Sequence, residues 1–80
     1  MEKLDIQRLK SSLQYLKSKQ RELKKHPEND NRSLESIIKY LKKDMIDQFN
    51  LTKYDLYIKQ DLKNTETFID SVRKIIETNS

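Results

Sequence analysis

The amino-acid sequence predicts an all-α protein, a small antiparallel three-helix bundle that forms a single domain over residues 1–80. Three segments repeat aliphatic residues at alternating spacings of three and four, which is the period of an amphipathic helix. The chain has no glycine and one proline, so few positions favour tight turns. Only 34% of the residues are hydrophobic and 38% are charged, so the expected core is modest.

The first helix is predicted over about 2–25, because its apolar residues form the seam of a coiled-coil heptad. Gln20 is the single polar position of that seam, and such a residue often sets register. Pro27 disfavours helical geometry in the residue before it, so the helix is expected to end near Lys25. The seam consists of Ile6, Leu9, Leu13, Leu16, Gln20 and Leu23.

The second helix is predicted over about 32–49, where one apolar arc recurs at helical spacing. Asn50 follows the arc and is expected to terminate the helix in the left-handed region, which asparagine tolerates better than most residues. A short turn before this helix makes the first two helices antiparallel neighbours. The arc consists of Leu34, Ile37, Ile38, Leu41, Met45 and Phe49.

The third helix is predicted over about 52–78 and begins with a capping signature. Thr52 stands at the N-cap with Asp55 three residues later, and Leu51 and Leu56 have the spacing of a hydrophobic staple. The residues 63–67 have low helix propensity, so a break near 63–65, with Asn64 or Thr65 capping a fourth helix, is the alternative. The unbroken heptad phase favours one helix. Its seam is Ile58, Leu62, Thr65, Ile69, Val72 and Ile76.

Several apolar residues fall outside these seams and indicate an interaction surface. Leu4 and Tyr15 project to one side of the first helix. A second apolar stripe on the third helix, with two residues that flank the arc of the second, is interpreted as a surface for a protein partner or for self-association. The alternative is that the third helix is central and contacts both others. The residues of this surface are Tyr57, Phe68, Ile75, Tyr40 and Ile46.

The net charge of +4 is concentrated at the start of the chain, because residues 1–26 hold 8 Lys and Arg against 3 Asp and Glu. A lysine stripe recurs every seven residues on the first helix. The favoured interpretation is a solvated flank whose lysine stems cover apolar surface. Acidic partners, acidic positions on neighbouring helices and nucleic-acid phosphates are the alternatives. The lysine stripe is Lys3, Lys10, Lys17 and Lys24.

The sequence offers little for catalysis or cofactor binding. It has no cysteine, and its one histidine, His26, precedes Pro27 in an expected loop. It lacks a Gly-rich phosphate loop and any His/Asp/Glu cluster with metal-ligand spacing. We therefore predict a protein without enzymatic activity, cofactor, metal or small-molecule substrate. We also expect a cytoplasmic protein, because there is neither an apolar run long enough for a transmembrane helix nor a signal peptide.

Together these observations predict a small regulatory or accessory module that acts by binding another protein. Nucleic-acid binding through the lysine stripe of the first helix is the alternative. The chain has no alanine or glycine and is rich in lysine and isoleucine, which indicates an AT-rich genome such as that of a low-GC bacterium, its phages or its plasmids.

Overall fold

The computed structural model describes residues 2–25 and 32–79, and every regular element in these two ranges is helical. The all-α prediction is therefore confirmed, and within the described residues there is no strand. The elements in chain order are the α-helix α1 (Lys3–Lys25), the α-helix α2 (Arg32–Phe49), the 3₁₀ helix η1 (Leu51–Lys53), the 3₁₀ helix η2 (Ile58–Lys63) and the α-helix α3 (Thr65–Asn79).

The first two helices follow the predicted pattern closely. Helix α1 buries the seam residues Ile6, Leu9, Leu13 and Leu16. Helix α2 ends at Phe49, and its chain then passes through the left-handed region. Asn50 has φ 52° and ψ 50°, as the sequence predicted for a terminator without glycine. The expected turn with His26 and Pro27 lies outside the described residues.

The prediction of one continuous third helix over 52–78 is wrong. The capping signature at Thr52 does not start an α-helix, because η1 begins one residue earlier and ends at Lys53. The Asp55 carboxylate instead accepts a hydrogen bond from the Tyr57 backbone N–H at 3.0 Å, which forms a local turn. Leu56 is 80% exposed, so the expected staple with Leu51 is not formed.

The alternative break near 63–65 is the arrangement found, and two side chains account for it. Asn64 has extended backbone angles, and its Oδ1 accepts hydrogen bonds from the N–H groups of Glu66 at 3.1 Å and Thr67 at 3.2 Å. This is the N-cap of α3. The Lys42 ammonium donates to the Leu62 carbonyl at 2.7 Å. In a continuous helix that carbonyl would accept the N–H of Glu66.

Because of this break, the chain runs up, down, up and down rather than up, down and up. Ser71 on α3 donates a hydrogen bond to the Asp61 carboxylate on η2 at 2.6 Å, so these two elements lie side by side. Glu66 at the start of α3 forms an ion pair with Lys24 near the end of α1. Helix α3 therefore runs antiparallel to α1, which at about 34 Å spans most of the 40 Å length of the molecule.

All five elements contribute to one apolar core. Leu51 and Ile58, from the two 3₁₀ helices, are as completely buried as Leu9 of α1 and Phe68 of α3. The irregular segment after α2 is thus a packed part of the bundle. The buried apolar residues are Ile6, Leu9, Leu13, Leu16, Ile38, Met45, Ile46, Phe49, Leu51, Ile58, Phe68, Ile69, Val72, Ile75 and Ile76.

The N-cap of α3 gives a direct test of the break. We expect Asn64→Ala to lower the free energy of unfolding by about 1 kcal/mol, because two backbone N–H groups lose their acceptor. Asn64→Ser keeps a capping oxygen and should lie close to wild type. Urea denaturation followed by circular dichroism measures both variants. Equal stability of the Ala and Ser variants would contradict this role of Asn64.

Candidate interaction surface

The structure separates the five residues that the sequence placed on a partner surface. Phe68, Ile75 and Ile46 are buried in the core, so their assignment to a partner surface is wrong. Tyr40 and Tyr57 remain 74% and 68% exposed, but Tyr40 is on α2 and Tyr57 precedes η2. The physical reason is that the predicted third helix is divided into η2 and α3, which pack against each other. Helix α3 packs against both η2 and α1, and its wide apolar face is used entirely inside the molecule.

A pair of truncations distinguishes the core position from the surface position. Phe68→Ala should lower the free energy of unfolding by about 3–5 kcal/mol, because it opens a cavity at a fully buried site. Tyr57→Ala should change it by no more than about 0.5 kcal/mol. Chemical denaturation of both variants measures the difference. A Phe68→Ala protein as stable as wild type would contradict the burial of Phe68 in the core.

A groove follows the contact between α1 and α2. It consists of two adjacent cavities of about 280 Å³ and 420 Å³, which share Ser11, Ser12 and Gln48 in their linings. The two serines lie between the ends of the groove and line both cavities. Leu4 and Phe49 line one end, and Tyr15 and Leu41 line the other.

Both ends of this groove expose apolar groups beside cations. Leu4 is 67% exposed and Tyr15 is 51% exposed. The Arg8 guanidinium lies 5.9 Å from the centroid of the Phe49 ring, and the Lys19 ammonium lies 5.3 Å from that of Tyr15. Cations at these distances over an aromatic face are attracted to it. The groove therefore has an apolar contact at each end, a cation next to it and hydroxyl groups between.

Helix α2 extends the apolar area beyond the groove. Leu41, Asp44 and Gln48 line the groove, and Ile37 lies one turn before Leu41 on the same flank of the helix. Ile37 is exposed, and so is Tyr40, one turn before Asp44. Part of this surface was predictable, because Leu4 and Tyr15 fall away from the seam of α1. The role of α2 was not, since Ile37 and Leu41 belong to the apolar arc that was assigned to the core.

The lysine stripe lies on the opposite flank of α1, toward α3. Lys17 and Lys24 line a cavity of about 360 Å³ together with Glu66, Asp70 and Arg73 of α3. Lys24 is paired with Glu66, so this part of the stripe faces acidic positions of a neighbouring helix. Lys3 and Lys10 are exposed to solvent. The structure thus divides the stripe between an intramolecular contact and a solvated end.

One buried cation was missed by the sequence reasoning. Lys42 is only 5% exposed, and its ammonium donates hydrogen bonds to the Leu62 carbonyl at 2.7 Å and to the Thr65 hydroxyl at 2.9 Å. Burial lowers the pKa of Lys42 from its ordinary value. A signal was present, because Lys42 falls within the apolar arc between Ile38 and Met45. Its acceptors, 20 and 23 residues later, were not predictable from that arc.

The lowered pKa of Lys42 predicts a pH dependence of stability. The unfolded chain retains the ordinary lysine pKa of 10.5, so at pH values between the two it binds more protons than the folded state. Stability therefore increases with pH through this window. We expect the difference in unfolding free energy between wild type and Lys42→Met to shift in favour of wild type as the pH rises toward 10.5. Denaturant titrations at several pH values measure it.

The matched control for this pH dependence is Lys59→Met on the exposed side of η2. Both variants are compared with wild type over the same pH range. A Lys42→Met difference that does not change with pH would contradict the burial of its ammonium.

The described residues contain no group of three or more His, Cys, Asp or Glu side chains that could hold a metal ion. In the same part of the chain, no helix has the length and apolar character needed to cross a bilayer. Comparison with protein-family models, with curated proteins and with solved structures gave no match to this chain. The groove and the charged flank of α1 are therefore the basis for a functional proposal.

Proposed function

We propose that this protein is a non-enzymatic module that binds an amphipathic helix of another protein in the groove between α1 and α2. The observation that carries the proposal is the pair of adjacent cavities that form the groove, with exposed apolar groups at both ends and Ser11 and Ser12 between them. In a chain with few apolar residues, large exposed apolar side chains on one flank are typical of an interaction site. A regulatory or accessory role for such a module, and its cytoplasmic location, stay predictions from the sequence.

The length of the groove defines the partner. Leu4 and Tyr15 are eleven residues apart on α1, which corresponds to about 16 Å, or about three helical turns. A partner helix with apolar residues at both ends of a three-turn stretch would place one against Leu4 and Phe49 and the other against Tyr15 and Leu41. Small or polar residues between them would lie over Ser11. Recognition of a helix by spaced anchors in a groove is a common mode of peptide binding.

Charge along the rims specifies the partner further. Arg8 and Lys19 stand on the α1 rim, and Asp44 stands on the α2 rim. The two cations already form ion pairs, with Asp5 and Glu22 respectively. We therefore expect a basic residue on the side of the partner helix that faces α2. Rim charges of this kind select the orientation of the partner and increase the association rate more than the affinity.

The proposal is tested by affinity capture from a native-host lysate with two double variants. Leu4→Ser with Tyr15→Ser removes both apolar ends of the groove, and Leu56→Ser with Tyr57→Ser removes two exposed apolar residues that do not line it. We expect a protein retained by wild type and by the second variant but lost from the first. Circular dichroism should show both variants to be folded, and nuclease treatment should not change the result.

One result would contradict this function. It is that wild type retains no protein that the groove variant lacks, while the second variant retains the same proteins as wild type.

Nucleic-acid binding through the lysine stripe is the alternative function, and it has weaker support. Glu66 already engages Lys24, and Asp70 lines the same cavity, so anionic groups stand where phosphates would bind. If the stripe did bind phosphates, replacing Lys10, Lys17 and Lys24 by Gln should reduce the slope of log K against log salt by about 3. We expect no binding of wild type to duplex or single strands at low salt. Salt-dependent binding that the triple variant loses would favour the alternative instead.

A further inference from the structure

A separate cavity lies between the end of α1, the middle of α2 and η2. It shares no lining residue with the groove. Its volume is about 350 Å³, near the lower end of the range of about 300–1,000 Å³ for small-molecule sites. Leu23, Ile38 and Leu62 form its apolar lining. Four lysines and one glutamate contribute its charges, so the cavity is strongly positive. These charged residues are Lys39, Lys42, Lys43, Lys63 and Glu35.

Lys42 is the buried member of this set, whereas the other lysines are exposed and stand at the mouth. An ammonium group has three N–H donors. Two of those on Lys42 are used by the Leu62 carbonyl and the Thr65 hydroxyl. Among the described residues no acceptor takes the third. One N–H donor of the Lys42 ammonium therefore has no acceptor among the described residues, and Lys42 lines this cavity.

Gln20 lines the same cavity and carries a second unused polar group. Its Oε1 is buried and has no hydrogen-bond partner in the part of the chain that the structure describes. Buried polar atoms are nearly always paired, so such an atom calls for a physical explanation. Rotation of the Gln20 amide by half a turn exchanges Oε1 for Nε2 and presents an N–H group in the same place. Gln20 and Lys42 both line this cavity, and both are then hydrogen-bond donors.

We infer that this cavity binds a small aliphatic carboxylate. The carboxylate accepts hydrogen bonds from the Lys42 ammonium and the Gln20 amide, and the aliphatic tail contacts Leu23, Ile38 and Leu62. Charge-assisted hydrogen bonds to a carboxylate are stronger than neutral ones, and the dry surroundings of Lys42 increase their strength. The lysines at the mouth attract the anion before it enters. The volume of about 350 Å³ admits a medium-chain acid.

The test uses octanoate as the probe and a ¹H–¹⁵N correlation spectrum of the full chain as the readout. We expect saturable shifts at Leu23, Ile38, Leu62 and their neighbours. Acetate, which lacks the tail, and octylammonium, which reverses the charge, should produce no saturable shifts at the same concentrations. Equal binding of octylammonium would overturn the inference, because the cavity would then be only an apolar cleft. Absence of saturable octanoate shifts would overturn it too.

Variants locate the site. Lys42→Met should weaken octanoate binding by about tenfold or more, because it removes a charge-assisted hydrogen bond but keeps the length of the side chain. A triple variant with Gln at Lys39, Lys43 and Lys63 should also weaken it, more at low salt than at high salt. The matched control places Gln at three exposed lysines elsewhere, Lys3, Lys10 and Lys74, and should bind as wild type does.

The triple variant at the mouth keeps the inference testable if Lys42→Met does not fold, because all three of its sites are exposed. Octanoate binding that neither variant weakens would overturn the assignment of this cavity. The groove variants of the proposed function leave every lining residue unchanged, so failure of one proposal does not imply failure of the other.

Discussion

The break between η2 and α3 is the constraint on which the rest of the structure depends. The Lys42 ammonium holds the Leu62 carbonyl, and the Asn64 side chain caps the first free N–H groups of α3. Because the chain reverses at this point, α3 returns along η2 and lies beside α1. Phe68 can then be fully buried, since one side of α3 contacts η2 and the other contacts α1. Without the reversal, this wide apolar face would be only partly covered.

The same reversal determines which surfaces remain open. Helix α3 packs beside the flank of α1 that carries Lys17 and Lys24. Part of the lysine stripe therefore makes intramolecular contacts. The other flank of α1, with Leu4 and Tyr15, has only α2 beside it and remains a groove. The buried Lys42 that supports the break also lies in the positive cavity. One side chain therefore links the architecture to a candidate ligand site.

The sequence predicted the parts of this protein that local rules determine. The seam of α1 and the left-handed Asn50 follow from spacing and from backbone preference over a few residues. The third segment could not be predicted this way, because its heptad phase continues through 63–65 although the helix does not. Lys42 donates a hydrogen bond to the Leu62 carbonyl at that break from 20 residues away, and periodicity contains no such information. Phe68 and Ile75 were placed on the surface because they fall outside the heptad seam of the third segment. They are buried because α3 packs against both η2 and α1.

The distance between residues 53 and 78 tests the reversal most directly. The chain has no cysteine, so Lys53→Cys with Thr78→Cys allows selective nitroxide labelling, and both positions are exposed. One helix over this span would separate the two Cα atoms by about 38 Å. With η2 and α3 side by side in opposite directions, pulsed electron paramagnetic resonance should give a single distance well below that value. A distribution centred near the length of a continuous helix would contradict the reversal of the chain at Asn64.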